Sequence, residues 1–247
     1  MYLRFAESLL GEGDYYRAIT EYKRAMFFAK DEDGKVHDIA LLGVARALFA
    51  GQQYGRAGEW LFQNQGEFKS AEEGHEAEGL MVRALLAARR GDRLLEILEE
   101  KRASNEVSFY RALAYANRGQ WTQAREAFLM VSPASQLAGV AANHAAIADS
   151  AQTLNWKSRG LAMFLGIVPG LGYWYSGHKQ SGVAALIVNA VFIGATIEAF
   201  DSNQDVLGGF LTLFSTSWYA SSIYGSGKAA ERYNDRMQVK LWKRFEY

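Results

Sequence analysis

Few residues in this chain have types and spacings that could do chemistry. Cysteine is absent, which excludes disulfides, thiolate nucleophiles and cysteine-ligated metals. The four histidines, His37, His75, His144 and His178, are scattered, and no two have the i, i+4 spacing that places two metal ligands on one helix face. The motifs of a nucleophile elbow, a P-loop or a dinucleotide-binding loop do not occur. We therefore expect no catalytic residue, no metal site, no cofactor and no enzyme activity.

Four arginines are the best candidates for a binding site in the first half of the chain. Arg4, Arg46, Arg83 and Arg111 each lie near the middle of a predicted helix. Guanidinium groups form charge-assisted hydrogen bonds, so a groove lined by them could hold the carboxylate terminus or an acidic segment of a protein partner. The alternative is that they are solvated arginines on exposed helix faces. Basic and acidic residues balance at 27 each, so no net field indicates nucleic acid.

The elements that must position these arginines form a repeated helical pattern. Short turns recur at residues 13–15, 52–54, 91–93 and 119–121, with apolar residues at helical spacing on either side. The third unit departs from the others because Glu96 stands where a small residue is expected. In the other three units, alanines flank the turn and a large residue follows: Ala6, Ala18 and Tyr22; Ala45, Ala57 and Leu61; Ala112, Ala124 and Phe128.

On these turns and alanine pairs, residues 1–132 resemble tetratricopeptide repeats. The resemblance implies a solenoid of antiparallel helix pairs, in which small residues allow close helix approach and large ones fill the space between repeats. It also implies a concave groove, formed by the first helix of each pair, that binds a protein. The alanine-rich residues 137–154 are predicted to form a closing helix.

Two long stretches in the last third of the chain, residues 182–200 and 206–227, contain no lysine or arginine. Each is close to the ~20 residues that a helix needs to cross about 30 Å of hydrocarbon. The turn between them is acidic, whereas basic residues dominate both outer flanks, which is the positive-inside pattern for flanks in the cytoplasm. The sequence therefore predicts a transmembrane helical hairpin.

The apolar segment before this hairpin, residues 161–175, is interrupted. Pro169 lacks a backbone donor and disfavours helical angles in the residue before it, while Gly170 and Gly172 allow a sharp turn or a close backbone approach. We predict an interfacial or re-entrant segment. If it crossed the membrane instead, the first half of the chain would lie on the opposite side.

Small and polar residues predict where helices meet in the membrane. Gly166 and Gly170 have the GxxxG spacing that lets helix backbones approach. Asn189 lies near the middle of the first predicted span, where a polar amide is costly in lipid, so we expect it to face another helix.

Residues 169–177 read P-G-x-G-x-x-Y-x-G, with Pro169, Gly170, Gly172, Tyr175 and Gly177 at the fixed positions. Together with the predicted hairpin, residues 159–235 resemble small bacterial membrane modules of the TM2-like and DUF5683-like kind. The resemblance implies mainly an architecture, a multi-pass module of the bacterial inner membrane.

The sequence thus predicts an all-α protein with four segments. They are a tetratricopeptide-like repeat domain with a closing helix (1–155), an interfacial or re-entrant segment (156–181), a transmembrane hairpin (182–227) and a basic tail (228–247). The predicted function is that of a membrane-anchored scaffold or adaptor whose repeats bind a protein partner at the bacterial inner membrane, in contact with lipids. The alternative is an accessory structural subunit of a larger membrane complex (an enzyme, a transporter or an insertion machinery) packed against other transmembrane subunits. The repeats are expected in the cytoplasm, or in the periplasm if residues 161–175 also cross or a leader was removed.

Overall fold

The computed structural model describes residues 2–29 and 34–245, which contain thirteen α-helices and no strand. The chain divides into two compact units, residues 1–152 and 153–247, close to the predicted boundary at residue 155. The first unit contains α1 (Tyr2–Gly11), α2 (Tyr15–Phe28), α3 (Lys35–Ala50), α4 (Tyr54–Gln63), α5 (Ala71–Ala87), α6 (Gly91–Glu99), α7 (Asn105–Asn117), α8 (Trp121–Leu129) and α9 (Ala138–Gln152). The second contains α10 (Arg159–Leu165), α11 (Leu171–Tyr175), α12 (Lys179–Asp201) and α13 (Asp205–Trp242).

The first unit is an array in which each helix packs against the next, as the sequence predicts. The alanine pairs lie where paired helices approach most closely, and all six alanines are fully buried: Ala6, Ala18, Ala45, Ala57, Ala112 and Ala124. Tyr22, Leu61 and Phe128 are also buried. Helix α9 matches the predicted closing helix and packs against α8. The expected helical array over the first half of the chain is therefore confirmed.

The third turn lies two residues before its predicted position. The other three turns each place one residue in the left-handed region, Gly13 (φ 81°), Gln52 (φ 58°) and Gly119 (φ 73°). In the third unit that residue is Arg89 (φ 55°), so the turn begins at residue 89 and the prediction of 91–93 was wrong. An arginine in a conformation that favours glycine conceals the turn from a sequence pattern.

The corrected register restores the repeat pattern of the third unit. Leu94 takes the position of the second alanine and Leu98 that of the large residue, and both are fully buried. Glu96 instead forms a surface ion pair with Arg93 at 2.9 Å. Gly91 begins α6 where the other units have an aromatic residue. A Cβ atom there would lie 2.6 Å from the Ala114 carbonyl oxygen, which leaves no room for a side chain.

Among residues 153–245 of the second unit, one helix is long and apolar enough to cross a membrane by length and composition. This is α12, whose 23 residues span about 35 Å. Only 17 % of its apolar stretch is buried. Helix α13 does not meet the same criterion, because glycine, serine, threonine, tryptophan and tyrosine interrupt its apolar residues. The structure thus supports one membrane-spanning helix. It does not by itself support the predicted second pass.

Helices α12 and α13 form an antiparallel pair. The turn between them comprises residues 202–204 and lies within the gap between the two predicted spans. Helix α13 continues without a break to Trp242, so the predicted division between hairpin and tail at residue 227 is not a helix boundary. Beyond Gly227 the helix has no further glycine or proline to end it, and Lys228 pairs with Glu231 at 2.7 Å along its surface.

Candidate functional site

The residues of the predicted P-G-x-G turn lie where α10, α11 and the start of α12 pack against α13. We call this region the junction; it comprises residues 157–182 and residues 219–236 of α13. One end of the junction is fixed by the Asn234 side chain, which forms hydrogen bonds with both the backbone amide and the backbone carbonyl of Lys157. The Lys157 amide donates to Asn234 Oδ1 at 2.9 Å, and Asn234 Nδ2 donates to the Lys157 carbonyl at 2.8 Å. A 77-residue separation in sequence hides this contact from local patterns.

From Lys157 the chain follows α13 and then returns. Arg159 pairs with Glu231 at 3.0 Å, and further along the Tyr219 hydroxyl donates to the Ile167 carbonyl. After the turn at residues 169–170, α11 brings the chain back until His178 Nε2 lies 3.0 Å from the Arg236 guanidinium. Both ends of the α10–α11 hairpin thus lie beside residues 234–236 of α13. The hairpin extends about 22 Å along α13, from residue 234 to residue 219. It therefore covers only part of α13, which begins at Asp205.

Pro169 and Gly170 form the turn of this hairpin. Gly170 has φ 92°, and a Cβ atom there would lie 2.3 Å from the Gly182 carbonyl oxygen. Only glycine satisfies both conditions, so Gly170 joins the turn to the start of α12. Gly166 caps the end of α10 and Gly170 precedes α11. The predicted GxxxG helix face therefore does not form, because the helix ends at Leu165.

Gly172 allows α11 to pack against two neighbours at once. A Cβ atom at residue 172 would lie 2.2 Å from the Ala162 carbonyl oxygen and 2.6 Å from Ser226 Cβ. Two buried serines complete this contact. Ser176 donates to the Gly172 carbonyl at 2.8 Å, and Ser226 donates to the Ser222 carbonyl at 3.0 Å. No role was predicted from the sequence for either serine.

Tyr175 and Gly177 contact the charged part of α13 and the chain that leads into α10. The Tyr175 hydroxyl accepts a hydrogen bond from the Ser158 amide at 3.0 Å, and Lys157 Nζ lies 4.8 Å from the centre of its ring. Gly177 (φ 76°) would place a Cβ atom 3.6 Å from the Tyr233 ring. The five residues of the motif therefore serve the turn and its packing.

Two ionisable groups at the junction, Glu231 and His178, have pKa values shifted by their neighbours. The Lys228 ammonium and the Arg159 guanidinium hold the pKa of Glu231 below its ordinary value. Burial lowers the pKa of His178, and the nearby charges of Arg236 and Arg232 lower it further. Because an arginine can only donate, His178 Nε2 accepts in its contact with Arg236, which requires a neutral imidazole.

Asn189 is buried and forms a hydrogen bond within its own helix. Its exposed fraction is 3 %, and its Nδ2 donates to the Ala185 carbonyl at 2.7 Å. Farther along, Thr196 Oγ1 and Ser215 Oγ lie 3.2 Å apart and join α12 to α13. Asn189 and Thr196 are therefore satisfied within the unit, while large apolar side chains of α12 are exposed.

The four arginines of the first unit do not share one arrangement. Arg46 pairs with Glu76 at 2.5 Å, and Arg111 donates to the Leu98 carbonyl at 3.3 Å. Arg4 and Arg83 are exposed. Within residues 2–29 and 34–245 no histidine, aspartate and glutamate cluster has the form of a metal site.

Comparison with known proteins adds no assignment. No protein-family model, no curated protein and no solved structure matches this chain.

Proposed function

We propose that this chain is a membrane-anchored scaffold in which α12 and the first half of α13 cross the bilayer as a hairpin. The observation that carries the proposal is the exposure of apolar side chains on α12. Ile187 and Ile197 are each 56 % exposed and Val191 is 63 % exposed. A core helix of a water-soluble protein would bury such residues, whereas hydrocarbon is their natural surroundings.

The first half of α13 supports a second crossing despite its more polar composition. Phe210, Leu213 and Phe214 are 69 %, 70 % and 62 % exposed. Thr212 and Thr216 donate to carbonyls one turn back in their own helix, so their hydroxyls need no water. An antiparallel partner of similar length, packed along α12, then completes the hairpin.

The return path of the α10–α11 hairpin favours a re-entrant segment over a third crossing. Its two ends lie at the same level of α13, so the chain before Lys157 is on the same side of the membrane as the charged end of α13. With basic residues on that side and the acids Glu198, Asp201 and Asp205 flanking the 202–204 turn at the other end, this side is the cytoplasm. We thus assign the protein to the bacterial inner membrane, with the repeats in the cytoplasm.

The repeats are proposed to bind a protein partner through the exposed aromatic cluster of the first helix pair. Phe27 is 82 % exposed, and Phe28 and Phe5 are 54 % and 53 % exposed. Phe28 stacks on Tyr2 at 5.6 Å, which makes the patch continuous across α1 and α2. Aromatic residues are enriched in protein interfaces, and this patch fits a partner better than the four arginines, two of which are engaged internally.

An accessory subunit of a larger membrane complex is the second candidate. Gly194 and Gly209 are exposed, and a Cβ atom at either would meet no other atom within 4 Å. Exposed glycines in the membrane let another helix approach closely. Purification in mild detergent distinguishes the two proposals. An accessory subunit should be recovered with other membrane proteins in a fixed ratio, whereas a free scaffold should not.

The absence of native cysteine makes single-cysteine labelling the direct test of membrane placement. Glu99→Cys, Ser202→Cys and Lys240→Cys place thiols in the repeats, in the turn and at the end of α13. In intact spheroplasts a membrane-impermeant maleimide should label only residue 202, and lysis should expose the other two. Labelling of residue 99 in intact spheroplasts would refute the cytoplasmic assignment, and equal labelling of all three in a soluble fraction would refute the anchor.

A further inference from the structure

A cleft between α12 and α13 opens near the charged end of the hairpin. Its volume is about 420 Å³. Ala184, Ala185 and Val188 line it from α12, and Trp218 and Ser222 line it from α13. Arg232 also lines the cleft, on the charged side of Ser222. Tyr173, Ser181 and Ser221 complete the lining, so the walls combine an apolar strip with hydroxyl groups and are cationic at one end.

Two polar groups that line the cleft have no protein partner among the described residues. The Ser222 residue is only 7 % exposed, and its hydroxyl forms no hydrogen bond within the part of the chain that the structure describes. By contrast, Ser226, one turn later, donates to a backbone carbonyl. Arg232 is exposed and pairs with no carboxylate among residues 2–29 and 34–245. A buried hydroxyl without a partner is costly, and a cation at a membrane surface attracts anions.

Other bases increase the positive charge around this end. Arg236 lies one turn beyond Arg232, and Lys179 begins α12. The acid Glu231 is already held by Arg159 and Lys228. The end of the cleft therefore offers an anion the Arg232 guanidinium, which pairs with no carboxylate of residues 2–29 and 34–245.

We propose that this cleft binds an anionic phospholipid. The phosphate lies on Arg232, a glycerol or ester oxygen bonds the Ser222 hydroxyl, and an acyl chain follows Ala185 and Val188 toward Trp218. The residues from 181 to 188 provide about 10 Å of wall along α12. A free phosphate would use the guanidinium but not the apolar wall, so charge and wall together select a lipid. This inference depends on the proposed membrane location.

The test is native mass spectrometry of the full chain in mild detergent, after mixing with phosphatidylglycerol or phosphatidylcholine. We expect wild type to retain phosphatidylglycerol at least fivefold more than phosphatidylcholine, and Arg232→Gln to lose that preference. Lys240→Gln is the matched control, because it removes an exposed base from the same helix outside the cleft, and it should keep the preference. Equal retention of the two lipids by wild type, or an unchanged preference in Arg232→Gln, would overturn the proposal.

Two further variants test the wall and the hydroxyl. Ala184→Phe fills the cleft and should abolish retention of the lipid, whereas Ala190→Phe, on an exposed part of α12 outside the cleft, should not. Ser222→Ala removes the unsatisfied hydroxyl and should weaken phosphatidylglycerol retention while raising the melting temperature of the delipidated protein. Retention by Ala184→Phe equal to that of wild type would contradict the proposed path of the chain.

Flotation on vesicles separates failure of this site from failure of the membrane anchor. Protein reconstituted with phosphatidylcholine alone should float whether or not the cleft selects anionic lipid. Flotation without selectivity overturns the lipid site and leaves the anchor standing. Failure to float with either lipid overturns both.

Discussion

Replacing Gly172 with alanine tests whether close backbone packing holds the α10–α11 hairpin against α13. The added Cβ atom would lie 2.2 Å from the Ala162 carbonyl oxygen and 2.6 Å from Ser226 Cβ. Carbon atoms pack best at about 3.5–4.0 Å, so both neighbours must retreat by about 1 Å. Overpacking of this kind costs about 1–3 kcal/mol. Because one neighbour is backbone and cannot rotate away, we expect the upper end of that range.

The assay is thermal unfolding of the full chain in mild detergent, followed by circular dichroism. For a unit of roughly 100 residues, a loss of about 3 kcal/mol lowers the melting temperature of that unit by about 10 °C or more. Gly209→Ala is the matched control, because no atom lies within 4 Å of its added Cβ. Alanine is also the better helix former there, by up to about 1 kcal/mol. A Gly172→Ala protein that melts with the wild type, or no earlier than Gly209→Ala, would refute the packing argument.

Two further predictions concern the first unit. Arg89→Gly should raise the free energy of unfolding by about 1 kcal/mol in urea titrations, because Arg89 has φ 55°, and the reverse change at the equivalent turn, Gly119→Ala, should lower it by a similar amount. Burial beside Phe109 and Phe128 lowers the pKa of His144. His144 therefore binds a proton more readily in the unfolded state than in the folded state. The free energy of unfolding should fall as the pH drops below about 6.5, and this contribution levels off below the folded-state pKa. His144→Gln should remove part of this pH dependence of the urea midpoint. His75 is exposed, so His75→Gln should leave the pH dependence unchanged. An unchanged dependence of the urea midpoint on pH in His144→Gln would contradict the role given to His144.

Local signals in the sequence were sufficient for most helices and insufficient for one turn. Alanine pairs at fixed spacing located three of the four repeat units, because their interhelix contacts are short in sequence and demand small side chains. The third turn was misplaced because Gly91 resembles the turn glycine of the first and fourth units, whereas the left-handed residue is Arg89, two positions earlier. Its correct position would have followed from Leu94 and Leu98, which match the buried positions of the other units only when the turn begins at residue 89.

The turn of the junction could be predicted from the sequence, whereas the residues that it contacts on α13 could not. Pro169 and Gly170 interrupt a helix for local steric reasons, so their place between α10 and α11 could be read from the sequence. The contact of Lys157 with Asn234, and the buried contact of Ser176 with Ser226, join residues 77 and 50 positions apart. No periodicity encodes such pairs. No contact was accordingly predicted for Ser176, Ser226 or Asn234, although they fix the hairpin to α13.

The geometry of that hairpin also limits what kind of partner the repeats can meet. Helices α10 and α11 have seven and five residues, about 10 Å and 8 Å in length, so neither can cross hydrocarbon about 30 Å thick. Since the chain returns to the level at which it began, the proposed crossings are an even number and leave both termini of the membrane unit on one side. A partner of the repeats is then either a protein at that membrane face or one recruited to it. Under the proposed function, confinement to the same surface raises the partner's effective concentration to roughly the millimolar range that short tethers produce, so the proposed binding patch around Phe27 needs only a modest intrinsic affinity.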